Sequence, residues 1–229
     1  MISCITDYNN NQTTKDKSSN ILTLDQIAEE QSKEKRLGYV TDIVRCLMPQ
    51  LPYHKFQHAM DVYSMAMTCA TLEKISPDDR FILATAAMMH DVIFKLKAKD
   101  NEERSAELAR IYLPQIGYTK DQTEKVSRIV LATKMPTNPK ALLEEIICDS
   151  DVDNIGRDDF LAKNELIREE LGIPESYEWY KENLRFLKSQ KFYTASARKY
   201  RGYGLEHNIK MLQDICNAYR ADHDDIRRT

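Results

Sequence analysis

Residues 81–94 read FILATAAMMHDVIF, and this stretch decides the fold. Its apolar residues leave no helical face that could turn to water, and a helix apolar all round is a buried one. It is also far shorter than the roughly 20 apolar residues that a membrane span needs. Near its end stand His90 and Asp91. An imidazole beside a carboxylate is costly in such surroundings unless the two are paired or bound to a metal. Taken alone, the segment reads equally well as a core His–Asp pair satisfied by hydrogen bonds.

Working outward, apolar residues recur at helical spacing almost everywhere beyond Leu22. The pattern predicts helices over about 25–48, 56–74, 77–94, 101–113, 120–133, 139–148, 158–171, 175–189 and 203–219, with prolines between several of them. With 6 Gly and 7 Pro in 229 residues, the chain lacks the turns of a β-sandwich. Neither strand alternation nor an internal repeat is visible, so the expected class is all-α. Residues 9–20, NNNQTTKDKSSN, have no apolar periodicity. Residues 1–20 are therefore expected to be a flexible lead-in, and 21–229 a single helical domain.

The formal net charge of -3 gives no global footprint for nucleic acid or membrane. Five scattered cysteines, an odd number without a CxxC pair, argue against a disulfide framework or a zinc ribbon and suit a reducing compartment. With no basic and apolar leader at the N-terminus, the expected location is the cytoplasm. No glycine-rich phosphate loop is present, which excludes a P-loop kinase or ATPase.

A second inward histidine shifts the balance at His90–Asp91. In the helix from Phe56, His58, Val62, Met65, Cys69 and Leu72 share one face, and it is the apolar one. His54 lies one turn earlier. Further on, ICDSDVDNIG (147–156) places Asp149, Asp151 and Asp153 after an apolar pair. A calcium loop starting at Asp149 would need Gly and Glu where Asn154 and Phe160 stand, so an EF-hand is rejected. Ile147, Val152 and Ile155 would anchor the stretch to the core, and one of its aspartates could then face the histidines. Two imidazoles and two carboxylates suit one Mn²⁺, Fe²⁺, Co²⁺, Ni²⁺ or Zn²⁺ ion, and Mg²⁺ less well.

These residues, in the order H…HD…D, resemble the HD-domain metal-dependent phosphohydrolases. YHKFQHAMDV (53–62) looks like the YHN-x-x-H-x-x-x-V block of that family, and AAMMHDVIF (86–94) like its HD block. NEERSAELA (101–109) resembles the NE-x-x-SA segment of a bacterial branch, and SDVDNIG (150–156) the block carrying the last aspartate. The resemblance covers about residues 37–215. It implies an HD-domain-like helical bundle, with a metal on His58, His90, Asp91 and Asp151. It also implies that His54 acts as general acid and Asp91 belongs to the catalytic set. Lys55 stands where the family has Asn, and the chain lacks the extra histidines of two-metal members, so one ion is expected. Asp149 remains a competitor for the place of Asp151.

Lys134, Lys95 and Arg104 lie near the matched blocks as candidate phosphate contacts, each set against an ordinary surface charge. Glu102 or Glu103 could orient a ligand. Residues 181–201 are basic with interleaved aromatics, a pattern that reads more readily as a solvated helix face than as a nucleotide contact. The expected activity is hydrolysis of a small phosphomonoester or phosphodiester, nucleotides included, by metal-activated water. The alternatives are a non-catalytic metal or nucleotide sensor and a helical interaction protein. No membrane or nucleic-acid partner is expected.

Overall fold

The structure is a computed structural model and describes residues 23–226, with side chains to residue 221. The lead-in expected over residues 1–20 lies outside the described residues, as does Cys4. Nine α-helices and two short 3₁₀ turns, without a strand, make up the described residues. The all-α expectation holds.

Local chemistry explains several helix starts. Thr23 and Gln26 form a capping box at α1 (Leu24–Leu47). Lys55 begins α2 (Phe56–Leu72) without a side-chain cap. Ser76 accepts from the Asp79 N–H and Pro77 opens α3 (Pro77–Met89). The 90–100 turn leads to α4 (Asn101–Tyr112), and a 3₁₀ turn over Leu113–Ile116 follows. Gly117, at φ 91°, supplies the left-handed residue before a second capping box, Thr119 with Gln122, opens α5 (Lys120–Leu131). Then come α6 (Leu142–Asp151), a 3₁₀ turn over Asp153–Gly156, α7 (Phe160–Leu171), α8 (Tyr177–Ser189) and α9 (Ala195–Ile226).

Every residue of α3 from Phe81 to Met89 is buried, as its composition predicts. It is the central rod, touching α1, α2, α4, α5 and α6. On the far side of the site, α8 packs along α9, and α9 lies against the 153–156 turn.

Three helix boundaries differ from the sequence pattern in ways that matter. The helix expected to run through Phe94 stops at Met89. The His90 side chain takes the Ala87 carbonyl at 2.9 Å, the acceptor that a continuing helix would offer to residue 91. The helix expected over 139–148 is shifted to Leu142–Asp151, so Asp149 and Asp151 lie in its last turn rather than in a loop. The last helix begins at Ala195, not near 203, and passes through Gly202 and Gly204.

Candidate metal centre

His58 lies in the first turn of α2, on the buried face with Val62, Met65 and Cys69. His90 and Asp91 follow the end of α3, and Asp151 ends α6. A carbonyl can only accept, so His90 donates to Ala87 from Nδ1 and turns Nε2 toward the other groups. That Nε2 is 3.2 Å from Nε2 of His58, and both lie 3.3 Å from Oδ1 of Asp151. Oδ2 of Asp91 is 3.3 Å from Nε2 of His90 and 3.5 Å from that of His58. One donor atom from each of the four residues thus lies within 4.8 Å of all the others. The Asp151 side chain is 26% exposed and that of Asp91 11%, so the cluster opens on its carboxylate side.

The four groups hold one another in their charged forms. Burial alone would lower the pKa of His90, but Asp91 and Asp151 outweigh it and hold the imidazole well above its ordinary range. His58 is raised in the same way, burial opposing and hydrogen bonds to the two aspartates prevailing. Burial would raise both carboxyls, yet the histidines pull Asp91 well below the usual range and Asp151 to about 2. A group that draws protons onto two buried imidazoles would be satisfied equally by a divalent cation. The donor set, two nitrogens and two carboxylate oxygens with Nδ1 of His90 already engaged, fits such an ion.

Asp149 faces elsewhere. Its Oδ1 accepts from the Tyr193 N–H at 2.7 Å. Its Oδ2 accepts from the Thr194 N–H at 2.8 Å and hydroxyl at 2.7 Å. It therefore caps the approach to α9, while Asp151 joins the histidines.

His54 stands beside the cluster, with Nε2 3.8 Å from Oδ2 of Asp91. Its ring stacks on Phe94 at 3.6 Å, nearly parallel at 9°. Its Nδ1 bonds Oε1 of Glu170 at 2.5 Å, and Oε2 of Glu170 accepts from the Tyr53 and His54 N–H groups at 3.0 and 2.9 Å. The Glu170 side chain is only 2% exposed. These bonds turn Nε2 of His54 toward the cluster.

Two supports hold the loops. Asn101 bonds the backbone N–H and carbonyl of Lys95 at 3.0 and 3.1 Å, and Ser105 does the same to Ile93 at 3.2 and 3.3 Å. The NE-x-x-SA segment thus clamps the turn that carries His90 and Asp91. Behind Asp151, α9 clamps the 153–156 turn. Arg201 grips Asp153 at 2.5 and 3.2 Å, and Asn208 donates to the carbonyls of Ile155 and Arg157, each at 2.9 Å. Between them a Cβ on Gly204 would fall 2.0 Å from the Gly156 carbonyl oxygen.

Of the secondary candidates, Lys134, Glu103 and Arg104 are engaged away from the cluster. Lys134 pairs with Glu103, and Arg104 with Asp100 at 2.9 Å. The Lys95 side chain is exposed. Glu102 is half-buried, and burial together with the charge of Asp91 raises its carboxyl pKa. Within 181–201, Lys181, Arg185 and Arg201 pair with carboxylates, Lys188 with Gln213, and Arg198 with the carbonyls of Phe192 and Tyr193. Sequence reading missed Glu170 and the Arg201–Gly204–Asn208 clamp. The clamp leaves a faint signal, since its three residues share one helical face.

No protein-family model and no curated protein matches the chain. Solved structures do. Bacillus subtilis YpgQ in complex with ADP aligns with a TM-score of 0.62 at 20% identity, over 80% of this chain and 95% of that one. A predicted HD superfamily hydrolase from an uncultured Thermotogales bacterium aligns at 0.55 and 21% identity, over 82% and 92%. LmjPDEB1 in complex with IBMX aligns at 0.51 and 14% identity, over 87% and 84%. At such identities the likeness is one of architecture, and on it the chain has the helical fold of the HD-domain proteins.

Proposed function

We propose that this chain is a metal-dependent phosphohydrolase acting on a small phosphomonoester or phosphodiester, with nucleotides the first class to test. The observation that carries this reading is the convergence of His58, His90, Asp91 and Asp151 within 4.8 Å, with Nε2 of His54 3.8 Å from Oδ2 of Asp91. These four residues would hold the ion, with Mn²⁺, Fe²⁺, Co²⁺, Ni²⁺ or Zn²⁺ preferred over Mg²⁺. A divalent ion held there would polarise a phosphoryl oxygen and activate water for attack. His54 is tethered through Nδ1 to Glu170, so Nε2 is the nitrogen available to protonate a leaving oxygen. The stacked ring of Phe94 limits its swing. One structure of the same fold was solved with ADP, which favours nucleotides as ligands.

The experiment is elemental analysis of the full chain after metal loading, followed by a screen of nucleotides and other phosphorylated metabolites. The expected result is close to one ion per chain and ion-dependent release of phosphate or pyrophosphate, lost in Asp91→Asn. An ion-loaded chain that turns over none of these esters would replace the enzyme with a metal or nucleotide sensor.

A further inference from the structure

Two polar side chains of α7 reach α2 and the segment just before it. They are Lys163 and Glu170, seven residues apart and so on one face after two turns. Nζ of Lys163 donates to Oδ2 of Asp61 at 2.5 Å, and Oδ1 of Asp61 accepts from Gln57 at 3.0 Å. Both members of the ion pair are largely shielded, Lys163 at 17% and Asp61 at 21% exposed. Asp61 lies one turn beyond His58 on α2. A hollow of about 10 Å³, bordered by Tyr53, His58, Asp61, Asp151 and Lys163, joins the pair to the cluster.

The apolar anchoring of α7 lies at its other end. Phe160, its first residue, is buried, whereas no apolar residue from Leu161 to Leu171 is. The half of the helix that carries Glu170 then stops at Gly172, in the left-handed region at φ 64°. An element with so little apolar burial is held in place by its polar bonds, and its position is sensitive to each. Lys163 bonds α7 to Asp61 of α2, and Glu170 bonds it to Tyr53 and His54 just before that helix.

We infer that the Lys163–Asp61 pair positions His54. It seats α7 on α2 so that Glu170 reaches the ring, although neither Lys163 nor Asp61 touches that ring. The inference rests on the proposed role of His54 for its catalytic meaning, but not for its structural one. Lys163 and Asp61 are accordingly positioning residues. Loss of either charge leaves the other without its partner in a half-buried place, and α7 relaxes away from Tyr53 and His54.

The test compares the full chain, loaded with Zn²⁺, with Lys163→Met, Asp61→Asn, the double variant and Lys163→Arg. Metal content should match wild type in all four. Ring nitrogen-15 spectra should show the Nδ1–H of His54 bonded to carboxylate in wild type and Lys163→Arg. That signal should be lost or shifted in the other three. On a substrate found in the screen, turnover should fall by about ten- to a hundredfold, as for a misplaced group. The fall should be alike in the singles and the double, because either change breaks the same link. If Lys163→Met does not fold, Lys163→Gln gives the same reading with a milder change. An unaltered ring signal in Lys163→Met would overturn the inference, even if melting temperature falls, because the pair would then be a brace only. A shifted ring signal in a chain without turnover would uphold the positioning role and count against the phosphohydrolase reading instead.

Discussion

At His90 two carboxylates outweigh the cost of burial, and the sign of that balance can be measured. In the metal-free chain His58 and His90 have folded pKa values above their ordinary 6.5. Their stabilisation is complete below the unfolded value and lost as pH rises through the folded one. Asp91 and Asp151 run the other way, contributing above 3.8 and losing the contribution as pH falls through the folded value, about 2 for Asp151. The melting temperature of the metal-free chain should therefore decline as pH rises above 6.5 and passes through the raised folded values of the two imidazoles. The ion-loaded chain should show no such decline, and ion uptake should release protons, measurable by calorimetry in buffers of differing ionisation enthalpy. Flat melting curves in both states would contradict the coupling. His54 belongs to the same scale. His54→Ala should keep the ion but lower turnover by roughly 10²–10⁴-fold, as for a lost general acid. The loss should shrink on a nitrophenyl ester, whose leaving group needs little protonation, and equal losses on both substrates would mean that His54 binds rather than protonates.

Helix ends govern what each aspartate does. Asp151→Ala should remove the ion, whereas Asp149→Ala should keep it and lower stability. The second change strips the acceptor from two backbone N–H groups and one hydroxyl at the head of α9. The cost should be about 2–4 kcal/mol, read from denaturant midpoints. Ion loss in Asp149→Ala would show that the cap and the ligand are not separable. Helical spacing alone could not rank these two residues, because the answer depends on where α6 stops, and its last turn extends beyond the apolar run. The inward face of α2 was legible from His58 to Cys69, though Leu72 at the helix end is exposed, and so was the buried rod of α3, since periodicity is a local property. Glu170 was not, because its partner lies 116 residues away and nothing in REEL marks it.

Across the molecule, the sheath of helices around α3 could be anticipated from composition, but the contact between α9 and the 153–156 turn could not. The helix expected from about residue 203 begins at Ala195 instead, so α9 passes through both Gly202 and Gly204, and Gly204 is required by the Gly156 backbone beneath it. Gly204→Ala should accordingly destabilise the whole fold by about 3 kcal/mol or more, as overpacking does. Gly202→Ala, with open space around its Cβ position, should be neutral or mildly stabilising. Thermal melts of the two variants check the contrast, and similar melts would mean that the two helices part easily. The same clamp bears on the order in which the molecule is made. His58, His90 and Asp91 precede Asp151 in the chain by 60 residues or more, and the turn behind Asp151 is gripped by Arg201, Gly204 and Asn208, which come later still. A nascent chain that has emerged as far as Asp91 therefore carries three of the proposed donors, while the grip on the turn behind Asp151 forms only after Arg201 to Asn208 of α9 have followed.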